Sequence, residues 1–269
     1  MSEKLIIAAV QMVSGPEVEA NLDEARRLIA QAAAQGAHLV ALPEYFPLIG
    51  AADAERLAAR ENDGEGPIQD FLSATARQFG LWLVGGSLPM TAIDPAKMRN
   101  ACLVYDESGR RVARYDKIHL FGFTRGTESY NESLTIEAGT AVVACDSPFG
   151  RIGLAICYDL RFPELFRAMG SVDLLVVPAA FTETTGRAHW ELLVRCRAVE
   201  NQCYLLAAAQ GGQHPNGRVT HGNSMIVDPW GEVLACCDKG AGIVTAEIDP
   251  ARIAEVRASL PALKHRVLR

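Results

Sequence analysis

The chain has 269 residues, 49% of them hydrophobic, a formal net charge of −6 and a pI near 5.6. That much apolar material builds a substantial core and excludes a disordered chain. The acidic balance draws the protein neither to nucleic acid nor to anionic lipid, and no apolar run approaches the length of a membrane span.

Residues 5–10 are β-rich and apolar on both faces, as a central strand of a covered sheet is. Asn21 with Glu24 three residues on predicts a capping box, and Gly36 closes the helix. Leu22, Ala25, Leu28, Ile29 and Ala32 lie between at helical spacing. Residues 37–43 read as the next strand, delivering Glu44 at its C-terminal end among Pro43, Tyr45, Phe46 and Pro47. Most loop glutamates simply face water. Residues 50–66 look irregular and turn-like, and Pro67 opens a helix that stops before Gly80. A strand follows at 81–87. Residues 100–105 and 111–116 flank Glu107-Ser108-Gly109-Arg110, a hairpin signal, and Lys117 comes directly after. A lysine at a strand end is usually a solvated charge. Residues 118–140 show no periodicity and contain Arg125, Gly126 and Glu132; a loop this long is more often functional than idle.

Residues 141–145 lead through the Pro148-Phe149-Gly150 turn into an apolar strand that ends at Cys157. Pro163 and Glu164 suit the first turn of a helix, and Gly170 stops it. A strand at 173–178, a connecting loop at 181–187 and a helix at 188–199 follow, then a strand at 203–209 and a polar loop at 211–222. Three short strands at 224–227, 232–236 and 243–248 precede a last helix, capped by Asp249-Pro250 and ended by Pro261. No repeat or linker divides the chain, so residues 1–269 read as one domain. Alternating strands and helices, then hairpins, predict α/β layers with mixed sheets. Periodicity alone does not separate one sheet from two.

The cysteines are Cys102, Cys145, Cys157, Cys196, Cys203, Cys236 and Cys237. An odd count without Cys-x-x-Cys predicts free thiols and a reducing compartment. Met1-Ser2-Glu3-Lys4 shows no charged-then-apolar leader, so the cytoplasm is the expected location. The histidines lack paired ligand spacing, so no metal is expected, and no phosphate-binding or dinucleotide glycine motif occurs.

Glu44, Lys117 and Cys157 thus sit at the ends of three separate strands. Cleaving an amide through a thiol needs a base that takes the thiol proton and returns it to the leaving nitrogen. It also needs positive charge near the developing oxyanion. A glutamate serves as the base if an apolar pocket raises its pKa. A lysine and free backbone N–H groups at a strand-to-helix turn lower the thiol pKa, and the N–H of Tyr158 is a second oxyanion donor. A cysteine that merely packs is the commoner case for any single cysteine.

Leu42-Pro43-Glu44, Lys117-Ile118-His119-Leu120-Phe121 and Cys157-Tyr158-Asp159-Leu160-Arg161-Phe162-Pro163-Glu164 resemble, in order, the three catalytic blocks of the nitrilase (carbon–nitrogen hydrolase) superfamily. The likeness runs from Leu5 to about Pro261. It implies a four-layer α-β-β-α sandwich, a triad of Glu44, Lys117 and Cys157, a thioester intermediate, no cofactor, and homodimers or larger assemblies joined through helices near the nucleophile. Glu132 matches the family's second glutamate, which orients the lysine. Arg161 matches an arginine that binds substrate carboxylate in carbamoyl-amino-acid hydrolases, a buried structural ion pair being the equal alternative. Phe181 and Thr182 are further pocket residues beside Tyr158.

Residues 188–193, 197–204 and 228–231 resemble the deaminated-glutathione amidases in particular; ω-amidases are less similar around Cys203 and Gln210. Cys157-Tyr158-Asp159 stands where true nitrilases show Cys-Trp-Glu, which counts against a nitrile substrate. The resemblance implies a cysteine-dependent amidase taking a small carboxylate-bearing amide, deaminated glutathione, to 2-oxoglutarate and cysteinylglycine. An ω-amidase acting on 2-oxoglutaramate or another amide, and a non-catalytic scaffold, are the alternatives.

Overall fold

The computed structural model describes residues 5–50, 52–126 and 128–268; residues 1–4, read above for a leader, lie outside them. In chain order the elements are β1 (Leu5–Gln11), α1 (Val18–Ala34), β2 (Leu39–Ala41), α2 (Asp53–Ala58), α3 (Pro67–Phe79), β3 (Trp82–Val84), β4 (Leu88–Thr91), β5 (Met98–Tyr105) and β6 (Arg111–Asp116). A small hairpin of β7 (Gly122–Arg125) and β8 (Glu128–Asn131) follows. Then come β9 (Ala144–Ser147), β10 (Gly150–Leu154), α4 (Pro163–Ala168), β11 (Leu174–Ala179), α5 (Glu183–Asn201) and β12 (Tyr204–Ala209). The chain closes with β13 (Met225–Val227), β14 (Val233–Cys236), β15 (Gly242–Ile248) and α6 (Pro250–Ser259).

Period-two alternation decides the layering. Ile7 and Ala9 of β1, Leu39 and Ala41 of β2, and Cys102 and Val104 of β5 join the core between two sheets. Their neighbours Ala8, Val10, Val40, Leu42, Ala101 and Leu103 pack with Ala25, Leu28 and Ile29 of α1 and with Ile68 and Leu72 of α3. One sheet runs β15-β1-β2-β3-β5-β4, with β6 also on β5; the other runs β14-β13-β12-β11-β10-β9. Each mixes parallel and antiparallel pairs. Trp190, Val194 and Ala198 of α5 cover the outer face of the second sheet. The result is a four-layer α-β-β-α sandwich, as the resemblance implied. The parallel strands β2 and β10–β12 supply their C-terminal ends, where open α/β sheets hold their ligands.

Local signals failed in identifiable ways. Asn21 does not cap α1, which starts earlier, after Glu17. Its buried amide instead bonds the N–H and C=O of Gly15 and the Pro47 carbonyl, tying the loop after β1 to the loop after β2. The expected loop at 181–187 is mostly helix: Thr182 caps α5 by accepting the Thr185 N–H. Gly186, a poor helix former, hid that first turn; a β-carbon there would fall 2.2 Å from the His221 side chain. The segment at 118–140 holds the β7–β8 hairpin, 50–66 holds α2, and the strand before the Pro148 turn begins three residues later than expected. The strand leading to Cys157 ends at Leu154 rather than at the cysteine.

Asn21→Ala leaves the buried Pro47 carbonyl without its donor and the Gly15 N–H without its acceptor. Each such loss costs about 1–3 kcal/mol, so urea unfolding should show a lowered midpoint at an unchanged slope.

Candidate active site

Two residues in left-handed backbone aim the reactive groups. Tyr45 has φ 54° and Cys157 φ 51°, a region that non-glycine residues enter at a cost. Beside the first, Gly86 has φ 55°, and a β-carbon on it would lie 2.2 Å from the Pro43 carbonyl. That close approach lets the Ser87 hydroxyl accept the Tyr45 N–H at 3.0 Å and sets the turn that carries Glu44. Cys157 opens a 3₁₀ turn, Cys157–Arg161, whose buried Asp159 carboxylate accepts the Ile156 N–H at 2.8 Å. Asp159 also accepts the Tyr115 hydroxyl at 2.7 Å and the His119 N–H at 3.1 Å. Those two residues flank Lys117, so Asp159 ties the lysine's segment to the cysteine's turn.

Lys117 continues the ladder of β6, its N–H donating to Asn100 O at 2.9 Å, and its side chain is fully buried. The ammonium donates to Glu44 Oε1 at 2.8 Å and to Glu132 Oε1 and Oε2 at 3.1 and 2.8 Å. Glu132 starts the short turn after β8 and also accepts the Tyr45 hydroxyl at 2.8 Å and the Phe121 N–H at 2.7 Å. Glu44 accepts Asn100 Nδ2 at 2.9 Å, and its own carbonyl accepts Gln210 Nε2 at 3.2 Å. The Glu44 carboxylate, the Lys117 ammonium and the Ala180 backbone all lie near enough to the Cys157 thiol to act on its proton.

The electrostatics follow from this packing. Burial pulls the Lys117 pKa down, but Glu132 and Glu44 outweigh it and hold the group protonated, well above the ordinary lysine value. Burial pushes the Glu132 carboxyl up, yet Lys117 and the donors around it bring it below its ordinary value. Burial and then the Glu44 carboxylate push the Cys157 thiol well up, against Lys117 and Ala180, which pull it down. The expectation of a lowered thiol pKa is therefore reversed. The Glu44 carboxylate, expected from the sequence to be the base, favours the protonated thiol.

Around Cys157 the pocket is lined by Phe121, Tyr158, Arg161, Ala180, Phe181, Thr182 and Thr185. The structure thus brings Tyr158, Arg161, Phe181 and Thr182 to one cavity with Cys157, and Glu44, Lys117 and Glu132 into one cluster whose Glu44 and Lys117 act on the thiol. The Thr182 hydroxyl, 2.9 Å from Thr185 Oγ1, is engaged in capping α5. Arg161 lies over the Tyr158 and Phe181 rings, 5.6 and 5.4 Å from their centroids. Its guanidinium meets His189 Nδ1 at 3.3 Å and no carboxylate among the described residues, so a structural ion pair is not its role. Sequence reasoning missed Tyr45, Asn100, Gln210 and the hub function of Asp159. Tyr45 adjoins a motif that was read and Asp159 lies within one, whereas Asn100 and Gln210 carry no local signal.

The carbon–nitrogen hydrolase family model matches residues 6–258. A deaminated glutathione amidase of Synechocystis is 42% identical, covering 97% of this chain and 98% of the relative. A human deaminated glutathione amidase is 39% identical over 97% of this chain and 82% of its own length. Among solved structures, Nit3 of Saccharomyces cerevisiae, a member of branch 10 of the nitrilase superfamily, superposes with a TM-score of 0.89. It is 32% identical, covering 100% of this chain and 98% of that one.

The thiol electrostatics are measurable directly. Alkylation of Cys157 by iodoacetamide should titrate at a higher pH than a free thiol does, since its pKa is raised. Glu44→Gln removes the neighbouring negative charge and should move the midpoint to lower pH. A midpoint that stays put or rises would place the Glu44 charge away from the sulfur.

Proposed function

Because the chain belongs to the carbon–nitrogen hydrolase family, and so hydrolyses carbon–nitrogen bonds other than peptide bonds, we propose that it is a cysteine-dependent amidase that cleaves deaminated glutathione to 2-oxoglutarate and cysteinylglycine. The observation that carries the chemistry is the buried Glu44–Lys117–Glu132 cluster set against the Cys157 thiol. The names of relatives at about 40% identity over nearly the whole chain support the substrate.

In this mechanism the thiol transfers its proton to Glu44 as the sulfur attacks the amide carbonyl. The oxyanion forms beside the Lys117 ammonium, with the Tyr158 N–H as second donor. Glu44 then protonates the departing amine, and an acyl thioester remains on Cys157. Glu44 next takes a proton from water, which attacks the thioester, and returns that proton to the departing Cys157 sulfur as 2-oxoglutarate is freed. Glu132 holds Lys117 through both oxygens and keeps its charge in place after Glu44 becomes neutral. Arg161, facing the pocket without a carboxylate partner, takes the carboxylate of the oxoglutaryl chain, and Phe181 and Tyr158 wall its methylenes.

We extend the proposal to one hydrolase domain that works as a homodimer or larger assembly joined through α4 and α5. In support, Leu192 and Val199, two turns apart on α5, are 69% and 46% exposed, an apolar stripe at the surface. A cytoplasmic location is proposed from the seven free thiols. No helix among the described residues is long and apolar enough to cross a membrane.

Comparing kcat/KM for deaminated glutathione, 2-oxoglutaramate and simple aliphatic amides tests the substrate; a preference for either of the others would displace it. Cys157→Ala should abolish turnover with folding intact, and mass spectrometry should find the acyl adduct on Cys157 of the wild type. Lys117→Ala should slow single-turnover acylation by at least about 10²–10³-fold, as loss of one oxyanion donor does. Lys117→Arg should rescue little, because a planar guanidinium cannot place its charge where the ammonium sits. Near-normal acylation in Lys117→Ala would remove the lysine from the mechanism.

A further inference from the structure

The polar loop between β12 and β13 puts a second arginine beside the pocket. Residues 219–221 run alongside 181–183: Glu183 N donates to Val219 O at 3.2 Å, and His221 N to Phe181 O at 3.0 Å. This brings Arg218 to the residue before that pair. Its Nη2 donates to the Ala180 carbonyl at 3.1 Å, and its guanidinium lies over the Tyr130 ring, 5.4 Å from the centroid. Ala180 lines the pocket, and its backbone lies near enough to the Cys157 thiol to pull its pKa down. Tyr130 in turn packs on Phe121 of the same lining, with centroids 5.6 Å apart.

Arg218 lacks what an arginine in such a place ordinarily has. No carboxylate among the described residues pairs with it, and its Nε is buried without a hydrogen-bond partner. Arg56, Arg99, Arg197 and Arg257 each have an acid within salt-bridge distance. Arg161, on the neighbouring Phe181 ring, has none either. Two cations thus converge on the adjacent residues Ala180 and Phe181 with only rings, a carbonyl and an imidazole to receive them. Like charges in a partly buried site favour an anion between or beside them. One carboxylate satisfies one guanidinium fork, so two forks suit a dianion.

We propose that Arg218 is a specificity-determining residue that binds the carboxylate of the leaving amine, while Arg161 binds that of the acyl chain. The assignment rests on the substrate reading above, in which the leaving cysteinylglycine ends in a carboxylate. It makes the pocket selective for amides charged at both ends, and it gives the loop at 211–222 a task at the active site.

The test compares deaminated glutathione with the same compound carrying a glycinamide in place of its terminal glycine, which removes one charge and nothing else. Wild type should prefer the free carboxylate about 10–100-fold in kcat/KM, the worth of a charge-assisted hydrogen bond. In Arg218→Met that preference should collapse towards unity, through KM for the charged compound, and Arg218→Lys should restore part of it. If Arg218→Met slows both compounds equally, the arginine merely supports Ala180 and the proposal is overturned. If wild type does not discriminate, it is overturned as well. A wild type that ignores deaminated glutathione but cleaves another acyl amide would sink the substrate reading alone; glycine and glycinamide leaving groups on that accepted acyl chain would then decide the role of Arg218 in the same way.

Discussion

A lysine ammonium with no access to water is the constraint on which the rest of the site depends. Removing such a charge from water costs several kcal/mol unless opposite charge and hydrogen bonds surround it. Here Glu44 and Glu132 supply three close contacts to one nitrogen. The cluster of one ammonium and two carboxylates carries a net negative charge, and a thiolate would add a second. Burial first, and then that count, explain why the Cys157 thiol is driven up rather than down although a lysine is close by. At rest the group is a thiol, and in the mechanism proposed above its proton moves only when an acyl carbonyl can take up the charge.

Everything that holds the lysine comes from elsewhere in the chain. Glu44 follows a strand of the first sheet, Cys157 a strand of the second, and Glu132 a hairpin that belongs to neither. Met12 and Gln210 bridge the two sheets at the same end, where Gln210 also holds the Glu44 carbonyl. The left-handed turns at Tyr45 and Cys157 are tolerated because buried partners, Ser87 for the one and Asp159 for the other, fix their backbones. Positioning to a fraction of an ångström is what such a site requires of its supports.

Charge is distributed differently at the mouth than at the base. Behind the thiol every ion has a counter-ion, and the chemistry is self-contained. At the rim, Arg161 and Arg218 face one stretch of backbone without acids, on a protein whose overall charge is −6. On the reading proposed above, a small acidic substrate meets local positive charge on a surface that is otherwise repulsive, and discrimination falls to residues that take no part in bond breaking.

The sequence by itself determined the alternation that splits each strand between two cores, the α/β layering, and the three blocks that bear glutamate, lysine and cysteine. These are local: side-chain period, turn residues and short motifs act over a few neighbours. It did not reveal that Asn21 would tie two loops instead of capping a helix, or that a helix would begin before Gly186. For Asn21 a distant partner, Pro47, overrode the local preference; for α5 the Thr182 cap is local, but the glycine that His221 leaves room for at position 186 masked it. Nor could it say whether Lys117 was a solvated charge or a buried one, or whether Arg161 faced an acid. Burial and ion pairing depend on which residues far apart in sequence share a space. That was decided only when two sheets closed face to face and brought Glu44, Lys117, Glu132 and Cys157 to one end.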